Sequence, residues 1–299
     1  MIEHKFLQVN GVRLHCAVAG QGRTILFVHG FPEFWYLWNN QLEDFGRDHH
    51  AAAVDLRGYN LSDKPPSVED YAVKTLMADL KGLLHQLAGD EKAFLVAHDW
   101  GGAVAWSYAA AFPETLAGLI IINAPHPTVF LRELIENEDQ QAASQYMRFF
   151  QTGKAEARLS ANNFEALQQA VFATANPPEA FTEADRQAYL EAWAQPGALT
   201  GGLNFYRASE MGPPRNETEA TAMKAQLAKL QEQRAFTVNV PTLVIWGMQD
   251  NALLPGNLEG LEDYVPDLEI ERIDNATHWV VREQPDAVNR AIRSFLENK

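Results

Sequence analysis

The sequence predicts an α/β protein: a mostly parallel sheet of eight strands flanked by helices, with a helical lid inserted after the sixth strand. Three observations carry this. Continuous apolar runs such as Thr24–Val28, Ala93–Ala97, Leu119–Ile122 and Thr242–Trp246 have the composition of strands buried on both faces, as parallel strands are. Stretches with helical hydrophobic spacing separate most of them. From about residue 128 to about 236 this alternation gives way to long Ala-, Gln- and Glu-rich segments, punctuated by Pro177-Pro178, Pro196-Gly197 and Gly212-Pro213-Pro214. The expected organisation is a core of residues 1–127 and 237–299 with a cap of residues 128–236.

Taken in order, Phe6–Val9 and Val12–Val18 flank Asn10-Gly11, a two-residue hairpin signal, so the chain opens on an antiparallel pair. Thr24–Val28 is the third strand and ends at His29-Gly30-Phe31-Pro32-Glu33. Trp35, Leu37, Trp38, Leu42 and Phe45 recur at roughly helical spacing, and Ala51–Asp55 is the fourth strand, leading into Arg57-Gly58-Tyr59. Leu76, Met77, Leu80, Leu83, Leu84 and Leu87 trace a helix packed on a sheet, stopped by Gly89. The fifth strand, Ala93–Ala97, runs through His98-Asp99 into Trp100-Gly101-Gly102 and a helix-prone run closed by Pro113. Leu119–Ile122 is the sixth strand and ends at Asn123-Ala124-Pro125. After the insertion, whose last stretch, Lys224–Arg234, reads as a polar helix, come Thr242–Trp246, then Leu268–Ile273, then a helix carrying Val288, Ala291, Ile292 and Phe295. The sequon Asn216-Glu217-Thr218 carries little meaning in a chain without an export signal.

The composition limits the function. With 46% hydrophobic residues, the 299-residue chain has ample material for a core, and its net charge of −15 repels polyanions, so neither nucleic acid nor a membrane surface is an expected partner. The single cysteine, Cys16, excludes an internal disulfide and reads as a buried strand residue. The N-terminus has no apolar signal core and no stretch reaches membrane-span length, so the cytoplasm is the expected location. No His/Cys/carboxylate cluster has metal-ligand spacing and no glycine-rich phosphate loop is present; no metal or cofactor is expected. Oligomeric state is open, a homodimer included.

The turn at Asp99 organises the rest. Small residues two positions before and two after it let the backbone fold tightly enough to push one side chain out above the sheet, the pattern of a nucleophile elbow. A carboxylate there forms an ester with an sp³ carbon that water can cleave, whereas serine would leave a stable ether, so the expected substrate is a small apolar electrophile. An aspartate that merely caps the helix is the alternative. Two other polar residues follow strands, as the site rule for parallel sheets requires. Asp250 comes after Thr242–Trp246, and His278 comes after the last strand. Nucleophile, acid, histidine is the chain order of hydrolases built on such a sheet. Asp274 competes with Asp250 as the acid that orients the histidine, but it lies on the histidine's own loop. His29, His98 and His126 lie near motifs and read as structural.

These residues carry a resemblance. His29-Gly30-Phe31-Pro32-Glu33 with Trp35 and Trp38, Asp55-Leu56-Arg57-Gly58-Tyr59, His98-Asp99-Trp100-Gly101-Gly102, Asn123-Ala124-Pro125 and His278-Trp279 resemble the motifs of the epoxide hydrolase branch of the α/β-hydrolase superfamily, along essentially the whole chain. The resemblance implies the α/β-hydrolase fold and an epoxide as substrate. Gln145–Phe150 and Asn204–Arg207 resemble the lid segments that carry ring-opening tyrosines, which assigns that role to Tyr146 and Tyr206. It also implies a cis Pro32. Backbone amides of Phe31 and Trp100 are the expected oxyanion donors, with Trp100, Phe31 and Phe149 against the substrate. Another family variant places the acid after the sixth strand, where this chain has Asn123, so the amide favours Asp250. His-Gly-x-Pro and Asp-Trp-Gly are shared with haloalkane dehalogenases, which makes a dehalogenase on the same Asp99 the nearest rival. A non-catalytic binding module is the rival of another class, and the intact set Asp99, Asp250, His278 argues against it.

Overall fold

The structure, a computed structural model, describes residues 1–299. The hairpin forms as its turn residues dictate: Asn10 and Gly11 both have positive φ, 46° and 79°, and join β1 (Glu3–Val9) to β2 (Val12–Ala19). Six further strands follow, β3 (Thr24–Val28), β4 (His50–Val54), β5 (Ala93–His98), β6 (Leu116–Ile122), β7 (Thr242–Gly247) and β8 (Leu268–Ile273). They form one sheet of eight in the order β1-β2-β4-β3-β5-β6-β7-β8, parallel from β4 through β8 and antiparallel only at β1–β2 and β2–β4.

The strand residues alternate between two cores, one on each face. Leu26, Val28, Leu95, Ala97, Leu119 and Ile121 join the larger core. Ile25, Phe27, Phe94, Val96, Ile120 and Ile122 join the smaller one. On the smaller side pack α1 (Asn39–Phe45), through Leu42 and Phe45, and the C-terminal helix, through Val288, Ile292 and Phe295. The spacing from Trp35 to Phe45 resolves into a 3₁₀ turn, Trp35–Trp38, followed by α1. On the larger side pack α2 (Val73–Ala88) and α3 (Asp99–Ala111). Gly89 ends α2 with φ 64°, as its position implied, and Cys16 is buried.

Seven helices run between β6 and β7: α4 (Pro127–Glu136), α5 (Glu138–Ala143), α6 (Gln145–Phe150), α7 (Ala155–Val171), α8 (Glu183–Trp193), α9 (Ala198–Ser209) and α10 (Glu217–Glu232). Their apolar faces, including Leu159, Leu167, Val171, Tyr189, Trp193 and Phe205, belong to the same core as the larger-core face of the sheet. The chain closes with α11 (Val280–Glu283) and α12 (Pro285–Glu297). Asn216 of the sequon caps α10, its side chain accepting from the Glu219 amide at 3.0 Å. No helix is long and apolar enough to cross a membrane.

Candidate active site

Asp99 is the first residue of α3, directly after β5, with φ 49°. That left-handed conformation is one an aspartate tolerates better than most non-glycine residues. Close approach makes the turn possible: a Cβ on Gly101 would meet the carbonyls of Val28 and His29, and one on Gly30 would overlap the Asp99 carboxylate itself. The elbow thus presses against the end of β3. There the Phe31 amide donates to Asp99 Oδ1 at 2.7 Å, and the Phe31–Pro32 peptide is cis. The Trp100 amide makes no hydrogen bond to the carboxylate in this state.

Asp99 Oδ2 lies 3.8 Å from His278 Nε2, so the imidazole edge faces the carboxylate without a direct hydrogen bond. His278 Nδ1 lies 2.7 Å from Asp250 Oδ2; a carboxylate only accepts, so the proton sits on Nδ1 and Nε2 faces Asp99. Asp250 is held in turn. The Ala252 and Leu253 amides donate to Oδ1 at 2.8 and 2.9 Å, and Asn123 Nδ2 donates to Oδ2 at 2.8 Å. Asn123 Oδ1 accepts from the Gly247 amide at 2.8 Å, so one amide side chain ties the ends of β6 and β7 together around the acid. Asp274 is exposed, away from this network.

The charges are coupled. Burial works against the charged form of Asp250, but the adjoining His278 together with the Leu253 and Ala252 amides holds the carboxyl below its usual range. Burial likewise disfavours the His278 imidazolium, but Asp250 first, then Asp99 and Glu33, push its pKa up to about 9 from 6.5. A folded pKa above the unfolded value gives stabilisation that is complete below about pH 6.5 and is lost as pH rises through about 9. Melting temperature should therefore fall across that window by more in the native protein than in His278→Gln, as calorimetric scans at stepped pH would show.

Two apolar cavities, of about 620 and 460 Å³, meet at this point. Asp99, Tyr146 and Tyr206 line both. Trp100 borders the larger, while Phe31, Phe149, Phe150 and His278 border the smaller. Tyr146 comes from α6 and Tyr206 from α9, their rings 6.2 Å apart at the centroids. Burial, then the nearby Asp99 for Tyr146, and Tyr146 with Asp99 for Tyr206, push both phenols well above 10, so each keeps its proton for donation. The sequence-predicted residues Asp99, Asp250, His278, Tyr146, Tyr206, Phe31, Trp100 and Phe149 all surround this junction.

The three other histidines near motifs are tied into the scaffold. His29 Nδ1 donates to the Gly30 carbonyl at 2.7 Å and Nε2 accepts from the Leu56 amide at 3.1 Å. His126 Nε2 donates to the Phe236 carbonyl at 3.1 Å, and burial lowers its pKa to about 4. His98 Nε2 donates to the His278 carbonyl at 2.9 Å, while its Nδ1 lies 3.1 Å from Glu33 Oε2. Glu33 also accepts from Tyr189 Oη of α8 at 3.0 Å, and Trp193 Nε1 of the same helix donates to the Pro32 carbonyl at 2.6 Å. Sequence reasoning passed over Asn123 as a clamp and Glu33, Tyr189 and Trp193 as links between lid and core. The only signal was the polar residue at each strand end.

Residues 23–285 match the alpha/beta hydrolase fold family. The mouse protein epoxide hydrolase 4 is 35% identical over 97% of this chain and 78% of its own length. The chain belongs to the epoxide hydrolase branch of the α/β-hydrolase superfamily. Within that superfamily, the AB hydrolase superfamily protein YfhM of Bacillus subtilis is 39% identical over 100% of this chain and 99% of its own. The epoxide hydrolase of Bacillus megaterium, solved with an inhibitor, superimposes on this branch member with a TM-score of 0.88 at 36% identity, covering 99% of this chain and 100% of that one. An epoxide hydrolase fold thus accounts for the chain from end to end.

Proposed function

We propose that the protein hydrolyses epoxides to vicinal diols through a covalent ester on Asp99. The observation that carries this reading is the junction of the two cavities, where the Asp99 carboxylate and the phenols of Tyr146 and Tyr206 line the same walls. Asp99 Oδ1 is engaged by Phe31, which leaves Oδ2 to attack a ring carbon from behind. As the carbon–oxygen bond of the ring breaks, the departing oxygen takes a proton from Tyr146 or Tyr206, and the other phenol donates a hydrogen bond. Both protons are available because burial disfavours the phenolates.

Ester formation neutralises Asp99 and removes one of the charges that hold the proton on His278. The imidazolium gives that proton to the phenolate left by ring opening, and the imidazole then acts as base at the second step. A water set against Nε2 gives up a proton and attacks Cγ of Asp99; the oxyanion forms at Oδ1, beside the Phe31 amide, with the Trp100 amide the second donor. Collapse of that intermediate expels the diol, whose oxygen is reprotonated from the imidazolium, the proton left on the Asp99 carboxyl returns to His278, and Asp99 carries one oxygen from water. Asp250 keeps the imidazole in its tautomer and stabilises its cation.

The substrate is a small, mainly apolar epoxide, given the cavity linings. The test is diol formation from terminal, aryl and internal epoxides beside haloalkanes. Tyr146→Phe and Tyr206→Phe are each expected to lower epoxide turnover by about tenfold to a thousandfold, and the double variant to remove nearly all of it, since a strained ring leaves as a basic alkoxide that demands a proton. Halide leaves as a weak base and needs hydrogen bonds only. Halide release with no diol from any epoxide would overturn the reading; a fully active double variant would remove only the two tyrosines from it.

A further inference from the structure

Tyr146 and Tyr206 sit on different helices, and the rings around them secure nearness without setting a distance. Tyr146 meets Phe150 edge-on at 5.3 Å between centroids, and Phe150 meets Tyr206 in the same manner at 5.1 Å. Apolar contact is non-directional, and α6, with six residues, is too short to hold its own course. Each tyrosine has an arginine close by in the chain: Arg148 two residues after Tyr146, and Arg207 directly after Tyr206. Neither arginine borders either cavity.

The two reach across in opposite senses. Arg148 of α6 donates to three carbonyls of the segment that leaves α9, those of Glu210 at 2.8 Å, Gly212 at 3.1 Å and Pro213 at 2.8 Å, and to Glu219 Oε1 of α10 at 2.7 Å. That segment is shaped around the guanidinium, since a Cβ on Gly212 would meet Arg148 Nε. Arg207 of α9 donates to the Thr152 carbonyl, just after α6, at 3.2 Å, and to both carboxylate oxygens of Glu156 at 2.7 and 2.8 Å. A guanidinium is a planar fork, so bonds in several directions from it set position as well as proximity.

We propose that Arg148 and Arg207 are positioning residues for ring opening: their crossed clamps between α6 and α9 set the separation of the two phenols, and with it the point at which both reach one departing oxygen. This rests on the epoxide hydrolase reading and adds two residues that touch neither substrate nor the reacting atoms. They act on the first half-reaction alone, because ester cleavage draws on His278 and the backbone amides and not on the phenols.

The experiment measures ester formation and ester cleavage separately, in single turnovers with styrene oxide. Arg207→Gln and Arg148→Gln should each slow formation by about tenfold to a hundredfold, the effect of a misplaced donor, and leave cleavage unchanged. Adding Arg207→Gln to Tyr206→Phe should bring no further loss, since the donor it places is already gone. A lid that is merely loosened would slow both steps, and the two substitutions would multiply; either result overturns the proposal. Glu156→Gln, which keeps the guanidinium but weakens its pairing, should show the same selectivity for the first step at smaller size, and it carries the test if the arginine variants do not fold. If the native protein hydrolyses no epoxide, the function fails and crystal structures decide the clamp alone. The Tyr146–Tyr206 centroid separation, 6.2 Å in the native chain, should then change in Arg207→Gln by about 0.5 Å or more, and an unchanged separation overturns the proposal.

Discussion

Asp99→Ala is expected to reduce epoxide turnover by on the order of 10⁴-fold or more, since it removes the nucleophile of a covalent mechanism and leaves water as the only attacking group. The fold should survive. Asp99 is only partly exposed, but its side chain contributes one hydrogen bond, from Phe31, and no core packing. Alanine at φ 49° costs about 1 kcal/mol of backbone strain, equivalent to a few degrees of melting temperature. A cooperative melt within that margin, together with lost activity, is the expected pair of results. Activity retained within tenfold would remove the ester intermediate. The same variant should bring the His278 pKa down, because Asp99 is one of the charges that raise it, and imidazole NMR titration reads this directly.

His278→Gln should separate the two half-reactions. The attack by Asp99 needs the carboxylate and the phenols, none of which this substitution touches, whereas ester cleavage needs a base at the position of Nε2. Mass spectrometry of the variant under saturating substrate should find protein heavier by one intact epoxide, attached at Asp99, with steady-state turnover lower by about 10⁴-fold. Unmodified protein with substrate demonstrably bound would mean that the histidine acts before the ester forms.

Much of this molecule was legible in the sequence because the informative residues sit at strand ends. Eight strands were expected and eight form, the apolar runs of β3, β5, β6 and β7 being too continuous for anything but a sheet covered on both sides. Asp99, Asp250 and His278 were placed by the strand each follows, and the sheet brings the three together beyond the carboxyl ends of its strands, with hydrogen-bonding distance between the last two. What the pattern did not reveal depends on side chains far apart in the chain. Nothing near Glu33 announces Tyr189, which lies 156 residues away. Helix-favouring composition also concealed the break in α7, where Ala161 is extended and Asn162, Asn163 and Phe164 have positive φ. The Asn162-Asn163 pair was the available clue, since asparagine tolerates that region better than most residues.

The attachment of α8 to the loop after β3 bears on how this scaffold can be remodelled. Trp193 grips the Pro32 carbonyl and Tyr189 grips Glu33, so the segment that presents the Phe31 amide to Asp99 is fastened from the lid side as well as from the sheet. Phe31 itself stacks edge-on against Phe150 and Tyr206, both lid residues. The cap is therefore no interchangeable module. Grafting a foreign one to alter substrate choice would also loosen a donor to the nucleophile, and a chimera would inherit its rate along with its selectivity unless the indole and phenol of α8 travelled with the graft.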